Sequence, residues 1–127
     1  RSADTARVAE VITCGFTPHP GGHGEEKVRK TGFGSVDAVA HRHFEDPSEA
    51  VRSLKAAGAF VCALETTDNA SSLFDLEEGG VVALVLGNEV TGVDERVLGL
   101  CDLVVEVPVF GLKNSLNVAS AGTVVLY

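Results

Sequence analysis

Residues 84–97 read LVLGNEVTGVDERV, and this stretch decides the fold class. It contains the end of an apolar run at 81–87, a polar turn, and the start of a short helical pattern at 93–100 with acids in its first turn. A fully apolar run of this length is typical of a strand buried on both faces of a parallel sheet. The turn also carries an amide beside a carboxylate, Asn88 and Glu89, which a simple chain reversal does not need.

The alternation of strand and helix patterns continues along the whole chain. Strand-like runs lie at 10–14, 36–44, 59–65, 81–87 and 102–108. Helical patterns lie at 2–9, 46–58, 93–100 and 115–127, a long Gly- and Pro-rich loop with one helical turn near its end covers 15–34, and 67–80 is turn-like. This order predicts one α/β domain over 1–127, with a mostly parallel sheet and helices on both faces.

Ligands of such sheets bind at the carboxyl ends of the strands. The candidate loops therefore follow Glu65, Leu86 and Val107. We expect the ligand-binding residues of this domain to lie in these three loops.

The charge of the chain restricts how it can bind nucleic acid. Its formal net charge is −8, which argues against a domain that grips nucleic acid by broad electrostatics. Lys27, Arg29 and Lys30 form a local basic cluster. We expect any contact with a polyanion to be local, at this cluster, or shared with a second subunit or a missing segment, and a merely solvated charge run is an equal alternative.

The cysteines and the apolar runs bear on the compartment. Cys14, Cys62 and Cys101 form no C-x-x-C pair and lie in or beside apolar stretches, which predicts buried free thiols in the cytoplasm or another reducing compartment, with organellar import left open. No apolar run approaches the roughly 18 residues that a membrane span needs. We therefore predict no membrane partner.

The glycines of the turn do not form a nucleotide-phosphate motif. Gly87 and Gly92 have the spacing of a phosphate-binding loop, but Val93 and Asp94 stand where lysine and serine or threonine are required. The alternative for the polar pair in this turn is that it only caps the helix at 93–100.

Two histidines could share a metal. His41 and His43 alternate along a predicted strand and so lie on one face, but no third ligand is evident nearby. Surface or loop histidines are the favoured interpretation, and no metal is predicted.

The stretch VPVFGLKNSLNVASAG at 107–122 combines a strand end, a glycine loop and a helix of small residues. Ser115 could be only an N-cap. Asn117 is a poor residue for the first turn of a helix, and small residues after it let a ligand or another backbone approach closely. A capped packing helix and a binding loop both remain open here.

Two longer segments carry a resemblance. LVLGNEVTGV and CDLVVEVPVFGLKNSLNVASAGTVVLY resemble the second and third motifs of the SpoU/TrmH family, in the SPOUT class of methyltransferases, and RSAD, VRKTGFGS and VCALETT fit the same family in order and spacing. The resemblance implies a C-terminal trefoil knot, S-adenosylmethionine as cofactor, and methyl transfer to a ribose 2′-hydroxyl of tRNA or rRNA. It also implies a homodimer, for which the apolar residues of the last helix would supply part of the surface. The family's first strand and its asparagine precede the position of Arg1, so we expect that strand to be absent from 1–127.

The same resemblance assigns roles to individual residues. The catalytic residues it implies are Arg1, Glu89, Ser115 and Asn117. The cofactor contacts it implies are Leu64, Gly87, Val107 and Leu116. A guanidinium stays protonated in proteins, so whether Arg1 acts as a base, orients a phosphate or stabilises an alkoxide stays open. Two rival functions also stay open: a catalytically silent RNA-binding or scaffold module on this fold, and a SPOUT enzyme that methylates a base.

Overall fold

The computed structural model describes residues 1–75, 80 and 82–127, and within them strands and helices alternate. The strands are β1 (Glu10–Cys14), β2 (Ala40–Phe44), β3 (Phe60–Leu64), β4 (Ser71–Ser72), β5 (Val82–Leu86) and β6 (Leu103–Glu106). The helices are α1 (Ser2–Thr5), α2 (Glu25–Gly32), α3 (Pro47–Ala56), α4 (Glu95–Leu98) and α5 (Val118–Leu126), with 3₁₀ turns at Ser35–Asp37 and Leu73–Asp75. Every ladder between these strands is parallel, so the α/β class with parallel pairing is confirmed.

The contacts divide the chain into two compact units, Arg1–Ala50 with Leu126–Tyr127, and Val51–Val125. In the first unit β1 pairs with β2, with Glu10 opposite Ala40 at one end of the ladder. The Arg42 guanidinium binds both carboxylate oxygens of Glu10, at 2.6 and 2.7 Å, and thereby ties the two strands together across the pair. This hydrogen-bonded ion pair lowers the pKa of the Glu10 carboxyl.

The second unit contains a four-stranded sheet in the order β4-β6-β3-β5. Val61 of β3 and Val105 of β6 are fully buried, and both are β-branched apolar residues of the type that strands favour. Val51 of α3 and Val97 of α4 pack in the same core cluster as Val61. This core fixes the carboxyl ends of the strands, where the candidate loops begin.

Helix α3 is held at both ends by carboxylates. The side chain of Asp46 accepts the Ser48 N–H at 2.8 Å, which caps the first turn. Near the other end, Lys55 donates to Asp102 at 2.7 Å, and Asp102 also accepts the Val61 N–H at 2.8 Å. The lysine and this N–H both lower the pKa of the Asp102 carboxyl. The Lys55–Asp102 ion pair therefore connects helix α3 to the start of β6 and, through the Val61 N–H, to β3.

Several sequence predictions are wrong in their bounds. The predicted loop at 15–34 contains the eight-residue helix α2, where only one helical turn was predicted. The predicted strand at 36–44 begins only at Ala40, because Phe33 and Gly34 adopt left-handed conformations and a 3₁₀ turn follows. The predicted helix at 2–9 is only the short α1.

Other predictions differ in extent. The helix predicted at 115–127 begins at Val118, and the turn-like 67–80 holds β4 and the second 3₁₀ turn. Residues 76–79, and residue 81 of the strand predicted at 81–87, lie outside the described residues. The single predicted sheet is two separate hydrogen-bonded sheets over the described ranges.

No disulfide joins the three cysteines, as the sequence predicted; Cys62 is buried as expected, whereas Cys14 and Cys101 are only half-buried. Burial raises the pKa of the Cys14 and Cys101 thiols, so both remain protonated near neutral pH. Among the described helices, none is long and apolar enough to cross a bilayer.

Candidate active site

A cleft of about 710 Å³ lies at the carboxyl ends of three strands of the second unit. It is lined by the residues that follow β3, β5 and β6 and by the segment that leads into α5. The three loops expected from the sequence therefore surround one cavity. Its volume is in the range of cofactor and small-molecule sites.

The turn after β5 is a closed loop built on two glycines. The N–H and carbonyl groups of Asn88 and Gly92 bond to each other, at 2.8 and 3.2 Å. A side chain at Gly87 would lie 2.4 Å from the Gly92 carbonyl carbon, and Gly92 itself has a φ of +71°. Both positions therefore require glycine. The Asn88 side-chain oxygen accepts the N–H groups of Val90 (2.8 Å) and Thr91 (3.2 Å), so the amide folds the turn.

The side chain of Glu65, directly after β3, hydrogen-bonds to the end of this loop. Its carboxylate accepts the Val93 N–H at 2.9 Å and the N–H of its own neighbour Thr66 at 3.0 Å. The same carboxylate occupies the space where a side chain at Gly92 would lie. Glu65 was not among the predicted site residues. The signal that could have found it is an acidic residue directly after a buried strand, at the edge where ligands bind.

Glu89 presents a carboxylate to the cleft. It lines the cavity, it is exposed, and across the part of the chain that the structure describes it has no hydrogen-bond or ion-pair partner. The alternative that Asn88 and Glu89 cap helix α4 is wrong, because Asp94 is the cap and accepts the Arg96 N–H at 2.8 Å. The Glu89 carboxylate is therefore available to a ligand.

The segment before α5 brings the other predicted residues to the same cleft. Ser115 and Asn117 both line it. The Asn117 side-chain oxygen accepts the N–H groups of Ala119 (3.0 Å) and Ser120 (3.3 Å), so Asn117 is the N-cap of α5. The prediction that Ser115 could be the cap is wrong. The amide nitrogen of Asn117 and the hydroxyl of Ser115 are the groups left for a ligand.

The predicted cofactor contacts also lie together. The structure brings the following residues to this cleft: Leu64, Gly87, Val107 and Leu116. Gly122 of α5 lets the Leu86 side chain approach, since a side chain there would begin 2.9 Å from Leu86 Cδ1. The small residues of α5 thus serve close packing on β5.

Arg1 lies elsewhere, in the first unit. It lines a second cavity of about 430 Å³ with Asp4, Phe33 and Ser35, and its guanidinium carbon is 4.9 Å from the centroid of the Phe33 ring. The structure therefore brings Glu89, Ser115 and Asn117 into one cavity but places Arg1 in a different one. Phe33 is a second residue that the sequence analysis missed.

The basic cluster on α2 is only partly free. Arg29 binds Glu25 at 2.7 Å and Asp37 at 3.1 Å, and these carboxylates raise the pKa of its guanidinium. Lys27 and Lys30 are exposed, and no partner is found for either in the described ranges. The positive charge that α2 offers to a ligand therefore comes from the two lysines.

The histidines form a cluster beside β1 and β2. Thr13 Oγ1 lies 3.0 Å from His41 Nε2 and 3.0 Å from His43 Nδ1, and the His19 ring stacks on His43 with centroids 3.7 Å apart. Burial, then the neighbouring His19 and His43, lowers the pKa of His41. The described residues contain no group of three side chains placed to hold a metal ion.

Known proteins with similar sequences are RNA methyltransferases by name. A 23S rRNA (guanosine-2′-O-)-methyltransferase RlmB of Burkholderia sp is 36% identical over 99 residues, which is 77% of this chain and 39% of that protein. A tRNA (guanosine(18)-2′-O)-methyltransferase of Escherichia coli (strain K12) is 32% identical over 92 residues, 72% of this chain and 39% of that protein. The chain thus spans less than half the length of these relatives.

The fold is similar to that of solved methyltransferases. The AdoMet-bound rRNA methyltransferase from Sinorhizobium meliloti has a TM-score of 0.88 and 25% identity, over 99% of this chain and 47% of that chain. The SpoU methyltransferase AviRb from Streptomyces viridochromogenes, in complex with AdoMet, has a TM-score of 0.84 and 26% identity, over 99% and 50%. The model of the SpoU rRNA Methylase family matches residues 1–127. The predicted resemblance is confirmed, and the chain belongs to the SpoU rRNA methylase family.

Proposed function

We propose that this chain is the methyl-transfer domain of an enzyme that uses S-adenosylmethionine to methylate a ribose 2′-hydroxyl of tRNA or rRNA. One observation carries the proposal: the strand-end cleft that holds Glu89, Ser115 and Asn117 beside a loop closed by Glu65 and two glycines. Three relatives are named as 2′-O-methyltransferases of tRNA or 23S rRNA, and these names support the reaction class.

The cleft suits S-adenosylmethionine chemically. Apolar walls at Leu64, Val107 and Leu116 and the exposed backbone of the loop after Gly87 offer what an adenosine and an amino-acid moiety need. When bound, S-adenosylmethionine supplies an activated methyl group on a positively charged sulfur. No metal is needed for such a transfer. Two solved relatives carry AdoMet, which supports the choice of cofactor.

The contribution of the side chains is alignment. Glu89 can accept hydrogen bonds from hydroxyl or ammonium groups of a ligand, whereas the Asn117 amide nitrogen can only donate. Holding the reacting groups in line supplies a large part of the rate enhancement in such reactions. We assign Arg1 the part of a cation that contacts the RNA, because a guanidinium does not act as a base at neutral pH.

The experiment combines two measurements on the same protein. Calorimetric titration with S-adenosylmethionine tests the cleft, and incubation of total tRNA and rRNA with methyl-labelled cofactor, followed by nucleoside analysis, tests the reaction. We expect saturable binding and label in 2′-O-methylated nucleosides. Absence of cofactor binding would contradict the enzyme proposal and leave the catalytically silent RNA-binding module. The net charge of −8 does not favour RNA binding by such a module. Label on a base would assign the chain to the base-methylating alternative.

We further propose the finer features of the family for this chain: helices on both faces of the sheet, a C-terminal trefoil knot, and a homodimer. Exposed apolar side chains near the C-terminus support the homodimer, namely Phe110, Leu112, Leu116, Val124 and Tyr127. Light scattering at micromolar concentration tests the dimer, and a monomer there would contradict it. Tracing the chain through an experimental density map tests the knot. The free thiols support a reducing compartment.

A further inference from the structure

We propose that Phe33 is a stacking platform for one base of the RNA and that the cavity it shares with Arg1 is a nucleotide subsite. The proposal rests on the proposed function, because it takes RNA as the substrate. It adds a residue and a ligand class to a cavity that is separate from the strand-end cleft.

The conformation of Phe33 is costly for its residue type. Phe33 follows the last residue of α2 with a φ of +50° and a ψ of +48°, in the left-handed region that glycine adopts freely and a bulky side chain rarely does. Its ring is nevertheless 76% exposed, so burial does not compensate for the strained backbone. A position that only ended the helix would favour glycine or asparagine.

The ring is already oriented by a cation. The Arg1 guanidinium carbon lies 4.9 Å from the ring centroid, within the range of a cation–π contact, while most of the ring surface stays open to solvent. Within the described chain Arg1 makes no ion pair, although Asp4 lines the same cavity. The cavity of about 430 Å³ therefore combines a flat aromatic surface with a cation whose charge is not paired.

These two features together match a nucleotide. Every base, whatever its identity, has a π face that can stack on an aromatic ring, and the attached phosphate pairs with a guanidinium or ammonium group. Lys27 and Lys30, on the helix that ends at this cavity, add two exposed ammonium groups for neighbouring phosphates. A purely apolar ligand would use the ring but leave these three cations without partners.

The chain provides its own reporter, because it contains no tryptophan. Phe33→Trp places the sole indole at the platform. We expect a single-stranded adenosine decamer to quench its fluorescence strongly, and a decamer with the same backbone but abasic sites to quench it weakly. Equal quenching by both probes would show that only phosphates bind there, and would overturn the proposal. A shift of the emission that depends on protein concentration, without RNA, would show that the ring meets a second copy of the chain, and would also overturn it.

Affinity measurements then test the ring itself. Phe33→Leu keeps an apolar side chain but loses the π face, and we expect the adenosine decamer to bind about 5- to 100-fold more weakly, the factor that loss of one stacked base gives. Phe74→Leu is the matched control, since Phe74 is equally exposed at 76%. We expect that variant to bind within about twofold of the wild-type protein. Wild-type affinity in Phe33→Leu would overturn the proposal.

A third variant separates binding from folding. Phe33→Gly relieves the left-handed backbone, so we expect its thermal midpoint to equal or exceed that of the wild type while the affinity for the decamer falls as in Phe33→Leu. A lower midpoint together with unchanged affinity would assign Phe33 a structural role. All three variants should bind S-adenosylmethionine normally. A protein that fails to bind this cofactor at all would refute the proposed function, whereas the decamer titrations would still decide on the platform.

Discussion

Replacing Glu65 with alanine should loosen the loop that closes the strand-end cleft. In the folded protein its carboxylate accepts the Val93 N–H at 2.9 Å and the Thr66 N–H at 3.0 Å. Alanine removes both acceptors. It also leaves open the space above Gly92 that the carboxylate fills.

The two lost bonds differ in cost. Thr66 is exposed, so water can replace its acceptor and the loss is small. Val93 is only 8% exposed, and a buried donor left without an acceptor costs about 1–3 kcal/mol. We therefore expect Glu65→Ala to lower the free energy of unfolding by about 2 kcal/mol. If the loop opens instead, S-adenosylmethionine should bind up to about 30-fold more weakly, since each 1.4 kcal/mol corresponds to a factor of ten.

Denaturant unfolding and cofactor titration measure the two effects on the same samples. Glu65→Gln keeps one oxygen acceptor, so we expect it to recover roughly half of the lost stability. Glu89→Ala is the control, because the described residues offer Glu89 no partner and its removal should change stability by no more than about 0.5 kcal/mol. If Glu65→Ala unfolds at the wild-type denaturant concentration and binds the cofactor normally, the carboxylate does not hold the loop and the reasoning is refuted.

Three further predictions concern the site, the RNA and pH. Glu89→Ala should lower methyl transfer on the order of 100-fold without loss of stability. Asn117→Ala should lower transfer and also reduce the free energy of unfolding by about 0.5–2 kcal/mol, because Asn117 caps α5. Incorporation of label measures transfer, and denaturant unfolding measures stability. Replacing both Lys27 and Lys30 with alanine should weaken RNA binding and reduce the slope of log K against log salt by about 1.4. Arg29→Ala should change the slope little, because the charge of Arg29 is already paired. Equal effects would contradict this assignment. Burial and the neighbouring His19 and His43 lower the pKa of His41. The stability that neutral His41 contributes is therefore complete above about pH 6.5 and is lost as the pH falls toward its folded pKa. We expect the unfolding midpoint to drop on acidification, and to drop less in His41→Gln.

The core and the place of the site were predictable from the sequence. The apolar runs of β3, β5 and β6 are typical of strands in a parallel sheet, and the carboxyl ends of such strands meet at one edge. The cleft and the grouping of Glu89 with Asn117 follow from this geometry. These are local patterns combined with a general rule of topology.

The parts that were missed depend on contacts between distant residues or on small differences between neighbours. Helix α2 is highly charged and lies among glycines, and its Arg29 is paired with Glu25 one turn earlier and with Asp37 beyond the helix. Glu65 accepts a backbone N–H 28 residues away, and although its position directly after a strand marks it as a candidate, the sequence does not indicate that partner. Ser115 and Asn117 are both good caps two positions apart, and only the direction of the chain entering α5 selects Asn117.

The acidic composition and an RNA substrate become compatible when the basic residues are sorted by their partners. Of the ten basic residues, Arg29, Arg42, Lys55 and Arg96 are bound in ion pairs with carboxylates. In the first unit this leaves Arg1, Arg7, Lys27 and Lys30, of which Arg1 lines the cavity of Phe33 and the two lysines lie on the helix that ends at it. Three phosphate contacts to a single strand give a salt slope of only about −2. Electrostatics of that size supplies weak binding, so under the proposed function stacking on Phe33 would have to supply much of the affinity for RNA.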